Sequence, residues 1–127
     1  MYSGFKTLIG SNVTGYSKKV FPLTAPEGIN LPYATYQQIF TDMIKTLDGY
    51  EGEGWSDYQF DFYNNTYVGA KTASDEWFAY IKNYSGTIGT VNVTDVELIN
   101  GFDGKDYVAG KIRYSYTIEL KFYFRTI

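Results

Sequence analysis

The feature that most constrains the fold lies late in the chain, where Tyr114, Tyr116, Ile118, Leu120, Phe122 and Phe124 alternate with Ser115, Thr117, Glu119, Lys121 and Tyr123. A period of two sustained over so many residues requires extended backbone, with one face on a core and the other toward water or a partner. Lys111 to Arg125 is therefore expected to form one long strand. Trp55 to Tyr63 repeats the pattern, with Tyr58, Phe60 and Phe62 on one face and Gln59 and Asp61 on the other, and should pair in the same sheet. Aromatic residues make up 20% of the chain, with 14 Tyr and 9 Phe. Flat rings pack well on a pleated, half-buried surface, so this composition favours strands.

Between these strands the period changes. Ala70, Ala73, Trp77 and Ile81, joined by Phe78, follow helical spacing, while Lys71, Asp75 and Lys82 take the opposite side. Thr66 to Tyr84 is predicted as an amphipathic helix, capped by Asn65 or Thr66 and stopped by a left-handed Gly86. Thr87 to Val93 reads as a connector and Val93 to Ile99 as a strand. Asn100-Gly101 and Asp103-Gly104 then predict a loop of several residues over Asn100 to Asp106, rather than a tight two-residue hairpin. Upstream, Lys19 to Leu23 and Tyr33 to Phe40 are strand candidates on either side of a surface loop containing Pro26 and Gly28. Thr41 to Asp57, with its acidic glycine-rich stretch Asp48 to Gly54, reads as a mobile hairpin tip. The expected fold is α+β: a mainly antiparallel sheet of four to five strands packed against one long amphipathic helix, plus a short N-terminal helix. With 127 residues, residues 1–127 are expected to form a single domain, because a second core would leave too little apolar material for either.

Composition closes off most chemistry. Cys and His are both absent, which removes disulfides, thiolate nucleophiles, the usual proton shuttle near neutral pH and the commonest transition-metal ligand. The carboxylates Asp48, Glu51 and Glu53 cluster, but they lack the alternating donors and terminal bidentate Glu of a calcium loop. No phosphate-binding glycine loop or nucleophile elbow is present. Catalytic, metal and cofactor sites are all expected to be absent. The net charge of −3 and a pI near 4.8 argue against tight binding to a phosphate backbone. Arg113, Lys121, Tyr123 and Arg125 share one strand face and could stack single-stranded nucleic acid, but Glu119 sits among them and mixed charge usually just solubilises a strand. No apolar run approaches the roughly 20 residues of a membrane-spanning helix, and the start of the chain lacks the pattern of a secretory signal, so the expectation is a cytosolic product with no membrane partner.

Three patches carry a resemblance. Val20-Phe21-Pro22-Leu23 is followed by Ala25-Pro26-Glu27-Gly28, then by Leu31-Pro32-Tyr33-Ala34-Thr35-Tyr36-Gln37, and later by Tyr58-Gln59-Phe60-Asp61-Phe62-Tyr63. In order and spacing, over residues 19–125, they resemble the tail terminator, or tail-completion, proteins of long-tailed bacteriophages. The resemblance implies a ring, generally of six copies, that caps the growing tail tube and offers the surface on which the head-completion or connector protein docks. It implies a virion location at the head-proximal end of the tail, assembly in the host bacterial cytoplasm, self-association, contact with the tail tube protein, and DNA that only passes through the lumen. Lumen or subunit contacts would then involve Asp48, Glu51, Glu53, Arg113, Lys121, Tyr123 and Arg125. Two departures from the family pattern are the reduced N-terminal helix and the longer tip around Asp48 to Gly54. A head-to-tail connector or adaptor shares size and ring habit, and a small ligand-binding module using an aromatic sheet face is a second alternative.

Overall fold

The computed structural model describes residues 4–46, 49–89 and 91–126; the side chains of residues 40, 42–46, 49–52 and 126 lie outside that description. The elements in chain order are α1 (Gly4–Asn12), β1 (Val20–Pro22), β2 (Tyr33–Thr46), β3 (Gly49–Asn64), α2 (Tyr67–Ile81), β4 (Gly86–Ile88), β5 (Val91–Val108) and β6 (Lys111–Thr126). The strands form one sheet in the order β1-β2-β3-β6-β5-β4. β1 runs parallel to β2 and every other neighbouring pair is antiparallel. The result is a mixed, curled half-barrel.

This overturns the expectation of an α+β fold with four to five strands on one long helix: the protein is mostly β, with six strands and two short helices. The helical segment is there, but α2 has 15 residues and α1 has 9. Strands took the difference, because they continue through glycine-rich stretches that read as turns. β5 runs straight through the expected loop at Asn100 to Asp106, with Gly101 opposite Ile118 and Gly104 opposite Ser115. Those glycines leave room for the neighbouring strand. A Cβ on Gly101 would stand 3.1 Å from the Tyr116 hydroxyl oxygen, and one on Gly104 would stand 2.8 Å from Ser115 Oγ. The chain reverses instead at Ala109-Gly110, where φ is +52° and +79° and Val108 pairs with Lys111. Two successive left-handed residues match the right-handed twist of the flanking strands, which makes this a tight two-residue hairpin. Likewise, the expected tip between Thr41 and Asp57 is largely ladder, with Thr46 still paired to Gly49. The connector before β5 contains its own short edge strand, β4.

One face of the sheet carries the core. Tyr58, Phe60 and Phe62 of β3 and Ile118, Leu120 and Phe122 of β6 are buried beneath Trp77, Ala73 and Ile81 of α2 and Phe5 and Ile9 of α1. Phe5 is fully buried and meets Tyr36, Tyr58, Phe60 and Trp77 edge-on, with ring centroids 4.8–6.2 Å apart. Edge-to-face rings align positive edges with negative faces and add to the area burial. Thr66 caps α2, its side-chain oxygen accepting the Gly69 N–H at 3.0 Å. The helix ends at Ile81, with Lys82 as its right-handed cap, so Gly86 opens β4 rather than stopping α2. Among the described residues, the buried Trp77 Nε1 has no hydrogen-bond partner.

Candidate functional site

The face of the sheet turned away from the helices is the candidate surface, and the strand register builds it. Alternate residues of β3 and β6 meet as Glu53 with Arg125, Trp55 with Tyr123, Asp57 with Lys121, Gln59 with Glu119 and Asp61 with Thr117. β5 adds Asp95 beside Tyr123, Glu97 beside Lys121 and Asp106 beside Arg113. On this face the carboxylates Glu53, Asp57, Asp61, Asp95, Glu97, Asp106 and Glu119 outnumber the cations Lys111, Arg113, Lys121 and Arg125. The negative balance of the chain is therefore concentrated here, where no helix covers the strands.

Cross-strand contacts fix these side chains. Arg125 pairs with Glu53 at 2.5 Å. The Tyr123 hydroxyl donates to Glu97 at 2.9 Å, which discourages its ionisation and raises its pKa. Lys121 Nζ lies 5.5 Å from the centre of the Trp55 ring, whose neighbour is Tyr123 at 6.4 Å. The Thr117 hydroxyl donates to Asp61, which also accepts from Gln59 at 3.1 Å. These pairs form a ladder across the middle of the sheet, each contact supporting the rotamer of the next.

The start of β6 forms a tighter cluster. The Arg113 guanidinium donates to Asp106 through both Nε, at 2.9 Å, and Nη2, and donates to the Tyr33 hydroxyl through Nη1. It also lies over Tyr63 at 4.4 Å from the ring centre, and Tyr63 is 5.0 Å from Tyr33. The hydrogen bonds hold the Asp106 carboxyl below its ordinary range, and burial is the main reason that the Tyr63 phenol is pushed up. Two adjoining clefts of about 370 and 340 Å³ flank this cluster and share Ile29, Tyr33, Val108 and Arg113. Arg113 is therefore committed to its own chain and holds the β5–β6 end against Tyr33 and Tyr63. Large apolar side chains stand exposed around the same end: Leu23, Tyr67, Val68, Tyr107, Val108 and Ile112.

Of the residues singled out from the sequence, Arg113, Lys121, Tyr123, Arg125 and Glu53 share this face, with Arg113 at the cleft end and Glu53 and Arg125 at the opposite end. Asp48 and the side chain of Glu51 lie outside the described residues. Sequence alone does not single out Asp106, Glu97, Tyr33 and Tyr63, because their proximity to the basic residues depends on strand register; for Asp106 and Glu97 the misplaced β5–β6 turn hides it, and for Tyr33 and Tyr63 it rests on the pairing of β2, β3 and β6. Among the described residues no group of His, Cys, Asp and Glu is arranged to hold a metal ion, and no helix is long and apolar enough to cross a membrane.

A solved virion chain shares the fold. A chain of the structure described as "Virion of native gene transfer agent (GTA) particle" superposes with a TM-score of 0.54 at 10% identity, covering 85% of this chain and 80% of that one. Neither a protein-family model nor a curated protein matches the sequence.

Proposed function

We propose that this chain is a structural virion protein without catalytic activity, which forms a ring at the end of a phage-type tail tube, stops its growth and presents the surface for head attachment. The observation that carries the reading is the division of the sheet: helices and core on one face, and a ladder of polar side chains with an excess of carboxylates on the other. A subunit of a DNA-conducting ring has the same two requirements. One face must be packed for stability, and the other must repel the phosphate backbone rather than hold it. The fold likeness to a chain of a gene transfer agent virion supports a role in a particle of this kind.

In this reading the helix-free face lines the lumen, and the exposed apolar end bearing Val68, Tyr107, Val108 and Ile112 contacts another component of the virion. Occupying the polymerising end replaces the surface that the next tube subunit would have used, so the mechanism is steric and thermodynamic. The test is negative-stain imaging of the protein mixed with purified tail tubes and free tube protein. The expected result is a ring seated on one end of each tube and an end to further growth. Tubes that keep elongating with both ends bare would refute the proposal.

A further inference from the structure

Both edges of the sheet are open along part of their length; the β5 edge is acidic, and at the other end the lysines lie on α1 and in the segment leading into β1, the open stretch of β2 carrying Asp42 and Lys45. β4 pairs only with Val91–Val93, so among the described residues β5 has no strand on its outer side from Thr94 to Val108. At the opposite edge β1 covers only Ala34–Tyr36, leaving β2 open from Gln37 onward. Exposed hydrogen-bonding edges of this length are templates for another strand. β5 carries Asp95, Glu97, Asp103 and Asp106 against the single Lys105, whereas the segment from α1 to the start of β2 carries Lys6, Lys18 and Lys19 against the single Glu27. Among the described residues the ion pairs are Lys71–Asp75, Arg113–Asp106 and Arg125–Glu53, and none uses Lys6, Lys18, Asp95 or Asp103. Lys6 and Lys18 also flank a cleft of about 240 Å³ that presents the hydroxyls of Thr7, Ser11 and Ser17, a donor set suited to a carboxylate.

We infer that the acidic β5 edge of one copy docks on the lysine-bearing α1–β1–β2 edge of a second copy, so that copies join head to tail. The inference rests on the ring reading and names the surfaces that would close it. Strand direction agrees: β2 and β5 run in opposite senses within the sheet, so copies related by rotation about an axis along the strands bring β5 beside β2 in the antiparallel sense. Pairing of two β5 edges with each other is disfavoured, because like charges would meet across the contact. A head-to-tail contact closes into a ring when its rotation fits.

The test reverses each edge separately. Lys6→Glu with Lys18→Glu makes both edges acidic; Asp95→Lys with Asp103→Lys makes both basic. The wild type is expected to self-associate in light scattering at low salt, and each variant alone to associate about tenfold more weakly or worse. An equimolar mixture should recover association, because every contact then joins opposite charges. Circular dichroism establishes that each variant is folded. Association of either variant at wild-type strength, a mixture that fails to recover, or a wild type that stays monomeric up to about 1 mM would overturn the inference. End-binding to tail tubes separates the two proposals. Tube capping retained by both reversed variants removes the edge contact and keeps the capping role, whereas association without capping does the opposite.

Discussion

Ala109 occupies a left-handed position, with φ +52°, in the turn that joins the two longest-paired strands. For an L-residue with a Cβ, that conformation costs about 1–2 kcal/mol, and Asn recovers part of the cost through local side-chain hydrogen bonds. Asn followed by Gly is also the favoured pair for this hairpin. Ala109→Asn is therefore expected to stabilise the protein by about 0.5–1 kcal/mol. With an unfolding entropy near 2.1 cal/mol/K per residue over 127 residues, Tm should rise by about 2–4 °C. Ala109→Val places a β-branched side chain where φ is positive and should lower stability by about 1 kcal/mol or more. Thermal unfolding followed by circular dichroism, with urea titrations at 25 °C, measures both. The pair is decisive because a strand would invert the order: Asn is depleted in strands and Val is favoured there. A variant series in which Val stabilises and Asn destabilises would refute the placement of the turn, and with it the register that brings Asp106 to Arg113.

Two further outcomes follow from the packing and the Arg113 cluster. Phe5→Ala removes a fully buried ring set among Tyr36, Tyr58, Phe60 and Trp77 and should cost about 3–5 kcal/mol, seen as a fall in Tm of more than about 10 °C; a change below about 3 °C would mean that α1 does not anchor the core. Asp106 has its pKa lowered by Arg113, so its contribution is present above the ordinary carboxylate range and is lost as pH falls through the lower folded value. Because its side chain is half exposed, the contribution should be only a few tenths of a kcal/mol. The urea midpoint of Asp106→Asn should trail the wild type at pH 7 and converge with it by about pH 3; a gap that persists unchanged in acid would assign the effect to something other than the charge.

The elements with strong periodicity were legible from sequence. β6 and the C-terminal part of β3 follow from alternating Tyr and Phe, and α2 follows from Ala70, Ala73, Trp77 and Ile81, all buried as their spacing requires. What failed was the reading of glycine. Asn100-Gly101 and Asp103-Gly104 carry a local turn signal, but tertiary pairing with Ser115 to Ile118 holds that segment extended, and the Asn100 side chain accepts the Gly101 N–H at 2.9 Å within the strand. The true turn uses Ala109, which sequence rules do not place at positive φ. Misplacing the turn shortened β5 and hid an open edge, and reading the stretch before β5 as a connector missed the sixth strand, β4. The candidate face was half legible for the same reason. Alternation alone puts Arg113, Lys121, Tyr123 and Arg125 together, but finding Glu97 and Asp106 beside them requires the register.

The sheet order also dictates how the protein must fold. β2–β3 and β5–β6 are hairpins of near neighbours, whereas the seam between them joins β3 to β6 with α2, β4 and β5 intervening in the chain. Local hairpins close at little entropic cost, while the seam must wait for a long loop to be drawn in. Each half meanwhile exposes rings that belong to the seam, Phe60 and Phe62 on one side and Ile118 and Phe122 on the other. The slow step is therefore expected to be the docking of two preformed ribbons rather than the growth of a sheet strand by strand, and the interval before docking is when the chain is most open to pairing with the wrong copy.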